Sequence, residues 1–520
     1  MKRAIWISAA VLLSASIVWA GGNKEGKSPA VSAPAATGKW FDKPVTISMM
    51  IPSHPSWPYQ KDWYVAKMVK EQTNVDLKVI DVLDQSSAFD DKVTVSVASG
   101  DVADIIFPIG LAIQKRFGEQ GVFANVLDYT AKTPNFKKWL DANKNYAIKF
   151  MSADGKLYQY PAKGIEETNR RIWMYRKDVF EKNGLKPPRT SDELLSVLRK
   201  LKELYPSSYP YAFRNNANDP MQFMLMIAPS WGTDAPSATT GEFRYDWATK
   251  EYVFGPTEDA FRDMIAFYHT LYAEKLIPPN CLTMTATEWQ TMMTGSQSFM
   301  TVDYIGRIDF FNVPGRKVTP GYDLQYMPSV KGGSKGTDKF AASALGWYGF
   351  LPFSKSAHLD DVVKFCDWWY TPKASELSSW GEEGKTYSVV DGKRRFIDAP
   401  AVENVRNKYG LSTNGFYILF DYQAHISTFS PELQSAYAQS MPMDLPENLC
   451  PPFTPAEQEI INLTGANVMR HAQQQISRFL LGNRPLSEWG QYVKEVQDLG
   501  VEKFRTVYTQ ALARILNASK

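Results

Sequence analysis

The sequence predicts an α/β protein with at least two domains. Over residues 45–107, strand-like and helix-like segments alternate in the order βαβαβ, which is typical of a parallel sheet. The last strand of this series, Ile105–Phe107, is an apolar run without alternation, as expected for a strand covered on both faces. The chain has 520 residues, more than one hydrophobic core usually supports, so a second domain is expected.

The elements of this first unit can be assigned in order. We expect strands at Val45–Ile51 and Val75–Val82, with an amphipathic helix at Trp63–Thr73 between them. A second helix is expected over residues 87–98, where apolar residues recur every four positions, and Gly100 follows as its C-cap. Ligands of open α/β sheets bind beyond the carboxyl ends of the strands, so the loops after these strands should line a cleft.

The rest of the chain continues the mixture of strands and helices. The main predicted elements are strands at Leu157–Pro161, Ile172–Asp178, Tyr322–Met327 and Leu345–Pro352, a helix capped by Thr190 with a leucine stripe at 194, 198, 201 and 204, and helices at Thr257–Leu276, Leu359–Thr371, from Thr454 onwards and within Leu480–Gly500.

The N-terminus predicts export. Residues 1–20 combine a basic start, a short apolar run and a small-x-small cleavage site, which are the features of a secretory signal peptide. Residues 21–42 are rich in small and polar residues and are expected to form a flexible tether. Position 21 is glycine, so the acylated cysteine of a lipoprotein is missing. We therefore expect a soluble periplasmic protein.

Composition argues against several classes of site. Two of the 58 basic residues lie in the signal peptide, which leaves 56 basic against 55 acidic residues and no basic field for nucleic acid. The three cysteines are too few for a disulfide framework and are expected to be buried thiols. The histidines lack metal-ligand spacing, so no metal and no cofactor is expected. Gly332–Gly336 matches Gly-x-Ser-x-Gly, but a polar loop follows it, which does not fit a nucleophile elbow.

One stretch carries a family resemblance. Residues 100–105 resemble the Gly-Asp-x-Pro-Asp-Ile signature of bacterial extracellular solute-binding proteins, with Ala103 in place of the usual proline. The strand ending at Tyr175–Asp178 and the segment Gly381–Tyr387, which ends in Thr-Tyr, also resemble the family pattern. The resemblance is greatest to the large members that bind oligosaccharides, such as alginate oligosaccharides.

The resemblance implies a fold and a set of partners. The fold would be the type II periplasmic-binding-protein fold, with two lobes of mixed sheets flanked by helices, joined by two to three crossing strands. Lobe I would comprise 43–161 and 328–372, and lobe II 162–327 and 373–520. The lobes would close on a ligand about a hinge, and a monomer would present it to the membrane permease of an ABC importer. The calcium loop of the alginate-binding members is not expected, because 204–210 lacks the carboxylates that calcium needs.

Aromatic residues in predicted loops are the first candidates for ligand contacts, because uncovered rings suit the apolar face of a sugar. These rings, and the polar groups that could accompany them, are Trp57, Trp231, Trp347, Trp380, Tyr422, Asp303, Tyr304, Arg307, Glu382, His54 and Arg171. The resemblance places Trp57, Asp303, Tyr304, Trp347 and 380–387 at the cleft.

For each candidate a structural role stays open. Each tryptophan could instead belong to the core, His54 could cap a turn, and Arg171 could form a structural pair. Trp289, in a helical segment, is expected to be core.

The function expected from these residues is the binding of an oligosaccharide, and Arg171 and Arg307 would permit uronates. One alternative is a secreted glycosidase or lyase that uses Glu382 and Asp303 as paired carboxylates, since the separation of two carboxyl groups decides that chemistry. Another is a binding protein for a peptide or other non-sugar ligand, because fold is a poor guide to ligand.

Overall fold

Two β-sheets flanked by helices form the framework of the protein. The structure is a computed structural model that describes residues 38–83, 88–165, 170–215, 222–236, 242–340, 348–397 and 402–518. The expected signal peptide, most of the tether and Trp347 lie outside the described residues.

The described strands are β1 (Val45–Ser53), β2 (Val75–Leu83), β3 (Ile105–Ile106), β4 (Tyr160–Pro161), β5 (Arg171–Arg176), β6 (Arg244–Asp246), β7 (Glu251–Val253), β8 (Met300–Tyr304), β9 (Leu324–Met327), β10 (Gly349–Pro352), β11 (Tyr387–Val390) and β12 (Lys393–Phe396).

The described α-helices are α1 (Tyr64–Thr73), α2 (Ala88–Ser99), α3 (Leu111–Glu119), α4 (Pro134–Ala142), α5 (Lys144–Ile148), α6 (Lys177–Lys182), α7 (Ser191–Leu204), α8 (Met224–Ile227), α9 (Asp259–Ala273), α10 (Ala286–Thr294), α11 (Arg307–Val318), α12 (Leu359–Trp368), α13 (Pro372–Ser379), α14 (Val402–Tyr409), α15 (Tyr422–Ile426), α16 (Pro431–Ser440), α17 (Pro455–Ile460), α18 (Ala466–Leu480), α19 (Trp489–Asp498) and α20 (Val501–Ala518).

The first sheet confirms the predicted βαβαβ unit. Its strand order is β2-β1-β3-β10-β4, and β1 pairs in parallel with both β2 and β3. Helix α2 is followed by Gly100, whose φ of 77° is adopted most readily by a residue without a side chain. Asp104 then anchors the start of β3 by accepting hydrogen bonds from the Ser48 backbone (2.8 Å), the Ser48 hydroxyl (2.7 Å) and Ser356 (2.5 Å). Asp104 is thus a structural residue, as its place in a turn suggests.

The second sheet is antiparallel, with the order β8-β5-β9. The chain leaves the first sheet at Pro161 and enters the second at Arg171, then leaves β9 at Met327 and returns to the first sheet at Gly349. We call the described residues between the two sheets, 162–165, 170, 328–340 and 348, the crossing segments. They lie beside later parts of the chain, because Lys163 forms a β-bridge with Leu419, and Phe340 forms one with Asp444.

The C-terminal part of the chain packs along both sheets. Helices α13 and α14 contact α1 of the first unit, whereas α16 contacts α11, and α18 contacts α9, beside the second sheet. The sequence-based division assigns all of 373–520 to lobe II, while the contacts of α13 and α14 lie with the first sheet. The lobe boundaries stay a prediction.

Several local expectations change in the structure. Strand β4 is confined to Tyr160–Pro161, and Leu204 of the leucine stripe is 39% exposed, while the other three leucines are buried. The final helix α20 was not anticipated, and its buried residues include Phe504, Tyr508 and Ile515. Trp289 is fully buried, as predicted.

No disulfide bond joins the three cysteines. Cys281 and Cys366 are buried and Cys450 is half-buried. Burial raises the pKa of Cys281 and of Cys450 to about 12, and raises the pKa of Cys366 well above its ordinary value. Such thiols are poor nucleophiles near neutral pH.

Candidate functional site

The topology brings the two sheets together at one pair of edges. In the first sheet, the carboxyl ends of β1 and β3 lie on the same side as Pro161 and Gly349, which pair with each other. The chain leaves this sheet after Pro161 and returns to it at Gly349. In the second sheet, Arg171 at the start of β5 pairs with Tyr304 at the end of β8. The loops after β1 and β3 and the segment after β8 therefore border the crossing segments, which defines the candidate site.

Asp303 is the buried centre of the second-sheet wall. Its side chain has no exposed surface and accepts hydrogen bonds from Arg214 Nε (2.6 Å), Arg307 Nε (3.0 Å) and the backbone N–H of Tyr304 (2.8 Å). The side chains of Arg214 and Arg307 are 19% and 23% exposed, so they cover the carboxylate and reach the surface themselves. Asp303 therefore positions two guanidinium groups, and its burial argues against direct ligand contact.

A third arginine joins this wall. Arg171 Nη2 donates to the hydroxyl of Tyr304 (3.2 Å), and its guanidinium carbon lies 4.9 Å from the centre of that ring. Arg214 lies 5.6 Å from the same ring, and Arg307 lies 4.8 Å from the ring of Phe310, which is 44% exposed. Such distances are those of cation–π contacts. We call Arg171, Arg214 and Arg307 the arginine cluster.

The loop after β1 forms the first-sheet wall. The rings of His54 and Trp57 stack in parallel at 3.7 Å, and Arg406 lies 4.5 Å from the indole centre. His54 Nδ1 also accepts a hydrogen bond from the Ser56 backbone (2.9 Å), so His54 does cap the turn. Partial burial and the Arg406 charge lower the pKa of His54, which favours the neutral ring. A sugar stacked on Trp57 would have to displace His54 or Arg406.

The residues expected in the segment 380–387 lie near the first sheet. Glu382 accepts a hydrogen bond from the hydroxyl of Tyr64 (2.7 Å) and pairs with Lys385 (2.9 Å). The bond from Tyr64, followed by that from Lys385, lowers the pKa of Glu382. A general acid of a glycosidase needs a raised pKa, so the environment of Glu382 does not favour that role.

Trp380 and Tyr422 are both neighbours of Asp421, Trp380 through a hydrogen bond and Tyr422 as the next residue in the chain. Trp380 is buried, its indole N–H donates to Asp421 (2.8 Å), and its ring stacks on Phe396 at 5.2 Å. Tyr422 is half-buried at the first turn of α15. Because Phe396 and Asp421 cover Trp380, its ring is not available for a sugar to stack on. Tyr422 keeps part of its side chain accessible.

Trp231 also lies in the interior. It is 5% exposed, its ring packs 5.4 Å from Phe267, and a side chain at Gly332 would approach the indole to 2.1 Å. The Gly332–Gly336 loop thus rests on Trp231, which explains the glycine at position 332 without any nucleophile elbow. This packing argues for the core alternative at Trp231.

The structure groups the predicted residues into separate neighbourhoods. Asp303, Tyr304, Arg307 and Arg171 come together, as do His54 and Trp57, whereas Glu382 contacts neither Asp303 nor its arginines in the described part of the chain. The paired-carboxylate alternative therefore gains no support. Among the described residues, no group of three or more histidine, cysteine, aspartate or glutamate side chains could hold a metal ion.

Sequence reasoning missed Arg214, Arg406 and Phe310. Arg214 and Arg406 reach the site through contacts with residues distant in the chain, for which the sequence holds no local pattern. Phe310 lies three residues after Arg307 on a helix, so i,i+3 spacing could have pointed to it.

Comparison with known proteins identifies the family. The model of the bacterial extracellular solute-binding protein family matches residues 57–376, more than half of the chain. The chain belongs to this family. A curated relative, the fructooligosaccharide ABC transporter substrate-binding protein FusA of Streptococcus pneumoniae, is 24% identical over 406 residues, covering 74% of this chain and 72% of FusA.

Solved structures show the same fold. The alginate-binding protein AlgQ2 is 22% identical with a TM-score of 0.62, covering 92% of this chain and 99% of AlgQ2. An HMO-binding, ABC-transporter-associated solute-binding protein from Bifidobacterium longum infantis is 17% identical with a TM-score of 0.70, covering 91% of this chain and 99% of that protein. This solute-binding protein thus has the two-lobed α/β fold. None of its described helices has the length and apolarity that crossing a membrane would require.

Proposed function

We propose that this solute-binding protein captures an oligosaccharide between its two lobes and delivers it to the permease of an ABC importer. The observation that carries the proposal is the arginine cluster with Tyr304 and Phe310, at the sheet edge beside the crossing segments. Aromatic rings and guanidinium groups together supply the apolar faces and polar donors that a sugar needs. FusA and AlgQ2, named for fructooligosaccharide and alginate, support this ligand class.

Delivery would depend on closure of the lobes. A ligand that contacts the arginine cluster on one wall and Trp57 on the other would favour the closed form through its differential affinity. To change the ratio of closed to open molecules from 1:99 to 99:1, the closed form must bind the ligand about 10⁴-fold more tightly than the open form. We further propose that residues 1–20 are removed on export and that the periplasmic protein acts as a monomer. The intact mass of the mature protein tests the removal of residues 1–20, and its light scattering tests the monomeric state.

The direct test is binding by the purified mature chain. Native mass spectrometry should detect a co-purified glycan, and a panel of oligosaccharides should include one that raises the melting temperature. Trp57→Ala should lose about 10-fold or more in affinity, as truncation of a binding hot spot does. Trp247→Ala, at a half-exposed tryptophan on the β6–β7 hairpin, is the matched control and should bind normally.

Two results would contradict the proposal. No stabilisation by any oligosaccharide, combined with stabilisation by peptides, would assign a different ligand class. Release of new reducing ends after prolonged incubation would show turnover instead of binding.

A further inference from the structure

We propose that the arginine cluster is a carboxylate subsite and that the oligosaccharide contains a uronic acid at this position. The inference rests on the proposed function, because it concerns the same cleft. It goes beyond sugar binding by naming the group on the sugar that the second-sheet wall recognises.

The first argument is the charge balance of this wall. Three guanidinium groups lie around Asp303 and Tyr304, and Asp303 is the carboxylate within ion-pair distance of Arg214 and Arg307. Arg171 has no carboxylate within that distance among the residues that the structure describes. Counted over the described residues, the three arginines and Asp303 carry an excess of two positive charges, and closing a cleft over uncompensated charge is costly.

The second argument is the supply of donors. Arg307 uses only its Nε to reach Asp303, Arg214 uses Nε and Nη2, and Arg171 uses Nη2 to reach Tyr304. The remaining guanidinium nitrogens donate to no other described residue, and none of them is buried. A guanidinium presents its donors in a planar fork that matches the two oxygens of a carboxylate. A ligand carboxylate could therefore accept from more than one arginine.

The third argument is the apolar surface beside the charges. Phe310 lies next to Arg307 and is 44% exposed, so part of its ring is accessible to a ligand. A pyranose ring with a carboxylate at C6 has an apolar C–H face and an anionic edge side by side. Phe310 and Arg307 offer the complementary pair of surfaces.

The buried Asp303 fixes this arrangement before a ligand arrives. It holds Arg307 by Nε alone and Arg214 by Nε and Nη2, so both terminal nitrogens of Arg307 and Nη1 of Arg214 are not used by the buried carboxylate. Positioning in advance lowers the ordering cost of binding. Asp303 is thus a positioning residue, and the three arginines are the binding residues.

The test compares acids with their neutral counterparts by titration calorimetry on the full mature chain. The probes are tri- to pentasaccharides of galacturonic acid and of mannuronic acid, together with their methyl esters, which keep the skeleton and lose the charge. At least one acid series should bind about 10-fold or more tightly than its ester, as expected for hydrogen bonds to a charged group. The difference should shrink between 20 and 200 mM salt because salt screens exposed charges.

Arg171→Gln is the variant that separates recognition from folding, because Arg171 holds no buried carboxylate in place. It should reduce the preference for acid over ester about 10-fold, whereas Arg171→Lys, which keeps the charge, should retain part of it. Arg199→Gln, at an exposed arginine paired with Glu274 on the surface, is the matched control and should keep the full preference. Melting temperatures without ligand should agree across the three variants to within a few degrees.

Three results would overturn the inference. Esters or neutral oligosaccharides that bind as tightly as the acids would show sugar binding without a carboxylate subsite, leaving the proposed function intact. Tight binding of sulfated oligosaccharides with no binding of uronates would assign a different anion to the cluster. No binding of any oligosaccharide would refute the proposed function and the inference together.

Discussion

Replacing Asp303 by asparagine should destabilise the ligand-free protein strongly. Asp303 is fully buried and balances Arg214 and Arg307 at 2.6 and 3.0 Å. Asparagine keeps one acceptor oxygen but turns an amide donor towards a guanidinium and leaves both cations uncompensated. Removing one partner of a buried ion pair costs about 3–5 kcal/mol. In the predicted lobe II, which has about 310 residues, this lowers the melting temperature by about 5–8 °C, at roughly 2 cal/mol/K of unfolding entropy per residue.

Urea unfolding and calorimetry of Asp303→Asn without ligand would measure this loss. The matched control is Asp263→Asn, because Asp263 pairs with Arg262 at 3.1 Å but is 38% exposed, and a surface pair contributes about 0–1 kcal/mol. If Asp303→Asn unfolded like the wild type yet lost affinity for the ligand, the carboxylate would be a ligand contact and its positioning role would be refuted.

Three further perturbations follow from the packing. Trp231→Ala should lower the free energy of unfolding by about 3–5 kcal/mol in urea, since the indole is buried under the Gly332 loop; a loss below about 1 kcal/mol would mean that the ring is not core. His425 has a pKa lowered to about 3, by burial and then by Arg406, so the unfolded chain binds its proton first as the pH falls below 6.5. The free energy of unfolding of the wild type should therefore fall by up to about 1.4 kcal/mol per pH unit between pH 6.5 and 3. His425→Asn should flatten this part of the curve of stability against pH. Parallel curves for the wild type and the variant would contradict a neutral buried ring. Gly164→Ala places a side chain at a φ of 127° and 1.9 Å from the Phe420 carbonyl oxygen, and should lower the free energy of unfolding by about 1–3 kcal/mol from backbone strain alone. This loss should exceed that of Gly184→Ala, where φ is 65° and the space around the new side chain is open. Equal losses of the two variants in urea unfolding would refute the clash.

The first sheet could be predicted because its information is local. The strands β1, β2 and β3 follow one another with short helices between them, and each has its own apolar pattern and turn residues. Helix α20 carried an equally clear signal, with apolar residues at 501, 504, 508, 511 and 515. The elements predicted from the sequence end with the helix within Leu480–Gly500, so they do not include α20.

The exposure of the aromatic candidates could not be predicted in the same way. Glycine and serine neighbours suggested that Trp231 and Trp380 would be uncovered, yet small neighbours also allow close packing from elsewhere. The covering groups come from Gly332 for Trp231 and from Asp421 for Trp380, which lie far along the chain. Arg214 joined Asp303 across a similarly long separation. Such contacts depend on how whole lobes fold, and one sequence alone does not encode them as a readable spacing.

Because the native thiols are poorly reactive, a fluorescent dye can be attached selectively to a cysteine introduced on the surface. With pKa values raised to about 12, Cys281 and Cys450 keep less than about one thiol in 10,000 ionised at pH 7.5, and Cys366 is more strongly protected. A cysteine introduced at Lys132, beside the first sheet, and another at Lys200 on α7 would each be exposed and far more reactive towards maleimide dyes. A donor and acceptor at these two sites would report the separation of the lobes with every native cysteine left in place.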